Sequence, residues 1–142
     1  MERALLHPDV ILDFLLKRPP FADDALALFE LAEKGRLEIT TAALSFSNIF
    51  YIARKLLSAE KALEMLKLLD ELTTALPVAQ STVRLALQSG FPDFEDALQN
   101  FCARQAGIST IVTRNVRDYA KSELAIHTPD SYLQLLKNKL DL

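Results

Sequence analysis

The side chains best suited to chemistry stand directly after short apolar runs. His7, Asp9 and Asp13 follow Ala4-Leu5-Leu6. Ser45, Ser47 and Asn48 follow Leu37-Glu38-Ile39-Thr40-Thr41. Arg114, Asn115 and Asp118 follow Thr110-Ile111-Val112-Thr113. Asp93, Glu95 and Asp96 open a long late helical run. In an open parallel sheet, ligands bind beyond the carboxyl ends of the strands, where such segments converge. A pocket built from these residues is rich in carboxylate and amide oxygen. That donor set suits Mg2+ or Mn2+, which commonly share their ligands with substrate phosphates.

Each of these residues also has a plainer reading. Asp9 and Asp93 stand where helix N-caps stand, and the two roles are compatible. Asp96 in a first helical turn complements the helix dipole. Asn48 serves equally as a hydrogen-bond partner to neighbouring backbone, and Asn115 as a residue that tolerates a tight turn. Asp118 pairs on the surface with Arg114 or Arg117, or joins the pocket. His7 is a satisfied, half-buried histidine, or a ligand or base. His127 has no acid near it in the sequence and reads as structural.

Short apolar runs alternate with helical periodicity along the chain, and this sets what positions these groups. Strands are predicted at Ala4–Leu6, Leu37–Thr41, Thr110–Thr113 and Leu124–His127, with a short extended piece at Leu76–Ala79. Helices are predicted after Pro8, over Ala22–Lys34, from Ser45 or Ser47 to about Leu57, over Lys61–Leu72, over Ser81–Gln88, from Asp93 or Glu95 to Ala106, and from Pro129 onward. Strands alternating with helices predict an α/β domain over residues 1–142, with a short parallel sheet of four to five strands between about seven helices in three layers. The helix Lys61–Leu72 shows Leu63, Leu66, Leu69 and Leu72 on one face. With Phe46, Ile49, Phe50 and Tyr51 it offers more apolar surface than one small sheet needs.

Composition narrows the classes. The 142 residues are half hydrophobic, with 16 basic against 19 acidic side chains and a net charge of −3. This excludes a disordered chain and a strongly basic nucleic-acid coat. Three scattered glycines exclude a glycine-rich phosphate loop. The single cysteine, Cys102, forms no internal disulfide and reads as a small buried apolar residue. No apolar run approaches the roughly 20 residues of a membrane span, and we expect a cytoplasmic protein. At a net charge of −3, any basic strip that meets phosphates must be local; Arg54, Lys55, Arg104, Arg114, Arg117 and Lys121 are available for one.

Four segments, LLHPDVILDFLLKRPPF, TTAALSFSNIFYIARK, DFEDALQNFCARQAG and TIVTRNVRDY, stand in an order and spacing that resembles the PIN-domain family. That family is a fold of metal-dependent ribonucleases that includes the VapC-type toxins of toxin–antitoxin pairs. The resemblance covers essentially the whole chain. It implies four acidic positions around a Mg2+ or Mn2+ ion. Here they fall on His7, Asn48, Asp96 and Asn115, with Asp9, Asp93 and Asp118 close by. It implies a catalytic set of His7, Asp9, Asn48, Asp96 and Asn115, and a metal set of Asp9, Asp93, Asp96 and Asp118. It also implies RNA as ligand, met by Arg114 and Arg117, an antitoxin protein as partner, and a homodimer. Replacing three carboxylates by His and Asn removes negative charge that would offset the metal. Two functions follow as expectations: a Mg2+- or Mn2+-dependent endoribonuclease of reduced activity, and a non-catalytic module that binds RNA or a protein through the same edge.

Overall fold

The computed structural model describes residues 1–142. Five short strands build one sheet: β1 (Glu2–Leu6), β2 (Leu37–Ala42), β3 (Thr74–Leu76), β4 (Thr110–Val112) and β5 (Ala125–His127). Their order is β3-β2-β1-β4-β5, and every pairing is parallel. Seven helices surround it: α1 (Pro8–Leu15), α2 (Ala22–Glu33), α3 (Leu44–Leu56), α4 (Ala59–Leu72), α5 (Gln80–Gln88), α6 (Phe94–Gln105) and α7 (Pro129–Leu140). A 3-10 turn spans Val116–Tyr119. The α/β architecture expected from the alternating pattern is the one the chain adopts.

The alternation of side chains along β1 divides the core in two. Ala4 and Leu6 face a cluster with Val10, Ile11, Leu28, Phe29, Ile49, Leu69 and Tyr132 from α1, α2, α3, α4 and α7. Leu5 faces the other way, onto Cys102, Ala103, Ile108, Ile111 and Tyr119. A strand buried on both faces must be apolar at successive positions, which explains the unbroken Ala4-Leu5-Leu6 run. All three are fully buried.

Two local expectations shift. The extended piece expected at Leu76–Ala79 is a strand that starts two residues earlier, Thr74–Leu76. Pro77 has no N–H to give to a ladder, so the strand ends before it. On α4 the buried face is Ala62, Met65, Leu66, Leu69 and Leu72, whereas Leu63 is 51% exposed. The inward stripe runs through the smaller Ala62, and Leu63 lies one residue round the helix, facing solvent.

The strand order reverses between β1 and β4. The chain builds outward through β2 and β3 on one side, then through β4 and β5 on the other. The loops leaving β1 and β4 therefore part at this point and open a crevice between them. The His7 N–H donates to the Val112 carbonyl at 2.9 Å, which ties the two strand ends together at its floor.

Candidate functional site

His7 leaves β1 and caps α1, with its backbone extended. Pro8 follows at the first helical position, where its missing N–H costs nothing. This fixes the imidazole at the crevice floor. Its Nδ1 lies 3.2 Å from Asp9 Oδ1 and its Nε2 lies 2.9 Å from Asp96 Oδ1. Asp96 is buried in the first turn of α6, and Asp93 caps that helix by accepting the Asp96 N–H at 2.9 Å. The Tyr119 hydroxyl donates to the same Asp96 oxygen at 3.3 Å, and its ring meets the imidazole edge-on. One histidine thus stands between two carboxylates from distant parts of the chain.

The protonation of His7 follows from its neighbours. Burial opposes the charged ring, but hydrogen bonds and Coulomb attraction to Asp9 and Asp96 outweigh it and raise the pKa from 6.5 to about 9. Burial also opposes the Asp9 carboxylate, and the bond to His7 overcomes it, so that its pKa is lowered. Nδ1 has two possible partners that exclude one another. Unprotonated, it accepts the Asp9 N–H at 3.1 Å as a helix cap; protonated, it donates to Asp9 Oδ1. Asp9 Oδ1 has no other hydrogen-bond partner, and two lone pairs facing each other at 3.2 Å repel. The raised pKa and the carboxylates beside both ring nitrogens favour the imidazolium over the neutral cap.

The second Asp9 oxygen ties α1 to the loop after β4. Oδ2 accepts from the Thr113 hydroxyl at 3.0 Å, the Arg114 N–H at 3.1 Å and Asn115 Nδ2 at 3.5 Å. Asn48, on α3, donates to Glu95 Oε1 at 3.0 Å across the mouth of the crevice. Partial desolvation, then the Asp93 and Asp96 carboxylates, push the Glu95 pKa up, against the opposing pull of His7 and Asn48.

The crevice is a cleft of about 500 Å³, lined by His7, Asp9, Arg18, Asn48, Tyr51, Ile52, Glu95 and Arg114 among others. His7, Asp9, Asn48, Asp96 and Asn115 are brought together as the sequence suggests. Asp118 and Arg117 are not: both are exposed on the 3-10 turn, and neither side chain makes a hydrogen bond or ion pair with the group. Ser45 is buried and accepts from Gln99 at 2.8 Å. His127 bonds to Ser131 and lies against Tyr132, away from the cleft. Cys102 is buried, and burial pushes its thiol up to about 11, so it is an inert packing residue.

Sequence reasoning passed over Arg18 and Tyr119. A signal for Arg18 existed. Asp13 falls on the buried side of α1 beside Leu12 and is 1% exposed, so it needs a cation. Lys17 takes up the left-handed region (φ 53) at the end of α1, and the Arg18 N–H returns to the Asp13 carbonyl at 3.0 Å. The chain turns back there, and the Arg18 guanidinium reaches the Asp13 carboxylate.

As arranged, these residues do not fit a divalent metal ion. No three His, Cys, Asp or Glu side chains are disposed to hold one. Asp9 and Asp96 both contact the His7 ring, at 3.2 and 2.9 Å, and a metal ion between them would have to displace it.

A family model described as PIN domain matches residues 3–117. Among solved structures, the fold is similar to VapBC2 from Rickettsia felis bound to a DNA fragment from its promoter, with a TM-score of 0.71 at 15% identity, over 89% of this chain and 98% of that one. It is similar to DNA-bound VapBC from Salmonella typhimurium, with a TM-score of 0.71 at 16% identity, over 91% and 99%. It is also similar to VapC20 of Mycobacterium tuberculosis, a toxin that cleaves the sarcin–ricin loop, with a TM-score of 0.61 at 11% identity, over 76% and 86%. At these identities the likeness is one of fold. No curated protein matches the chain.

Proposed function

The chain belongs to the PIN-domain family, and from that premise we propose that it holds a single RNA strand in the cleft before His7 without appreciable metal-dependent cleavage. The observation that carries this reading is the imidazole of His7 between Asp9 and Asp96. It supplies internally the positive charge that a hydrolytic centre takes from a metal, and it brings no water to attack a phosphodiester. The cleft around it keeps what an RNA strand needs. Tyr51, 56% exposed, offers a ring for a base; Arg18 and Arg114 offer guanidinium groups for phosphates; Asn48 and Glu95 offer hydrogen bonds to base edges.

A labelled single-stranded oligoribonucleotide is therefore expected to bind saturably, equally well in EDTA and in millimolar Mn2+, and to stay intact. Anisotropy and denaturing gels read the two halves of this result. The competing reading is the Mg2+- or Mn2+-dependent endoribonuclease, with Asp9 and Asp96 as ligands. Family membership and the convergence of Asp93, Glu95 and Asp96 at the cleft favour it. Mn2+-dependent cleavage that disappears in Asp96→Asn would establish that reading and overturn ours. No RNA binding at all would remove RNA as the ligand.

Two partners complete the proposal, in a cytoplasmic protein. A second copy of the chain is proposed to cover the apolar surface of α3 and α4, where Leu56, Leu57 and Leu63 are all more than two-fifths exposed. Light scattering on the eluting protein is expected to give the mass of two chains; a single-chain mass at tens of micromolar would refute it. An antitoxin-type protein is proposed from the toxin–antitoxin complexes that share the fold. Sizing after co-expression with the adjoining gene's product tests it, and unchanged mass would count against it.

A further inference from the structure

We propose that Arg18 and Arg114, held side by side by the buried Asp13 carboxylate, form a phosphate clamp at the rim of the cleft. The clamp rests on the RNA reading above and names the group that seats one backbone phosphate of the strand.

Asp13 meets both arginines: Oδ1 accepts a hydrogen bond from Arg18 Nε at 2.8 Å, and Oδ2 lies in ion-pair contact with Arg114 Nε at 2.9 Å without a hydrogen bond. One carboxylate thus serves two guanidinium groups and leaves a surplus positive charge. Neither arginine makes another ion pair. No terminal amino nitrogen of either arginine hydrogen-bonds to Asp13. Arg18 spends one of these on the Asp9 carbonyl at 3.2 Å, and the rest are free. The Arg114 guanidinium also lies over the Phe21 ring at 4.1 Å, which fixes its plane.

Both arginines line the same cleft, with side chains 35% and 29% exposed. A buried charge is ordinarily matched by one counter-ion, and the second guanidinium is more than Asp13 needs. Two planar donor forks held in fixed positions match the tetrahedral oxygens of a phosphate. The side-chain ordering is completed on folding, so a phosphate does not have to impose it. The anchor is only 1% exposed and comes from α1, while the arginines come from the loops after α1 and β4. The clamp therefore sits at the same junction as His7.

The test is a double-mutant cycle on RNA affinity. Arg18→Gln and Arg114→Gln are each expected to weaken binding of the labelled oligoribonucleotide roughly tenfold. Because both hold one phosphate, the double variant is expected to lose little more than either single one. Thermal melts monitor folding. Arg18→Lys keeps the charge beside Asp13 but lacks the fork, so it is expected to fold normally and still bind weakly. Single variants that fold and bind as the wild type does would overturn the clamp. So would losses that multiply to a hundredfold, since they describe independent charges. A second arm titrates inorganic phosphate and follows the Arg18 and Arg114 Nε–Hε resonances. If RNA fails to bind but both resonances shift, the clamp stands and the RNA reading falls. If neither ligand registers, both fall.

Discussion

Raising the pH from 6 to 9.5 is expected to remove roughly 3 kcal/mol from the folding stability of the wild-type protein, and far less from His7→Gln. The histidine pKa lies at 6.5 when unperturbed and at about 9 in the fold. The folded state thus binds this proton more tightly than the unfolded chain does. Its contribution is fully present below pH 6.5, fades as the pH climbs and is gone above about 9. The lowered pKa of Asp9 is the same ion pair seen from its partner, so it adds nothing to this window; its share is lost at acid pH instead. Urea denaturation at closely spaced pH values measures both curves. Wild type and His7→Gln should differ most near pH 6 and converge toward 9.5. Burial raises the Cys102 thiol to about 11, so near pH 9.5 only the unfolded chain loses that proton, alike in both proteins, and the effect cancels in the difference. Parallel curves would show that the imidazole is neutral across the range and only caps α1.

Much of this site was legible in the sequence because strand ends announce themselves. Ala4-Leu5-Leu6 and Thr110–Thr113 are short and apolar, and the polar residues that follow them meet where the strand order reverses. Asp93 reads as a helix cap and is one. What the sequence does not carry is which acids are already satisfied. In the sequence Asp9 fits a cap or a ligand, but its carboxylate binds backbone and side chains 104–106 residues away, a matter of tertiary register. The pairing of His7 with Asp96 spans 89 residues and leaves no periodicity to detect. Asp118 failed for a local reason: the turn after Asn115 is 3-10, and it leaves the carboxylate in solvent, clear of the cleft. Arg18 escaped notice because its position depends on a left-handed residue, Lys17, that is not glycine.

If the imidazolium is what closes the acidic centre, then His7→Asp should open it. That substitution exchanges a cation in contact with Asp9 and Asp96 for a third carboxylate. Three acids at this spacing repel, so without metal the variant is expected to be several kcal/mol less stable than the wild type at neutral pH. The same repulsion is what a divalent cation relieves, and oxygen donors from β1, α1 and α6 would then surround it. Mn2+ is therefore expected to stabilise His7→Asp and leave the wild type unchanged. At a free concentration one hundred times Kd, the gain is about 2.7 kcal/mol, or a rise in Tm of roughly 5–10 °C for a chain of this size. Calorimetric titration should show saturable binding only in the variant, abolished by adding Asp96→Asn. The alternative outcome is as informative. Saturable Mn2+ binding by the wild type would mean that His7 swings away from its two carboxylates at little cost, and the cleft would then have to be read as a working nuclease centre.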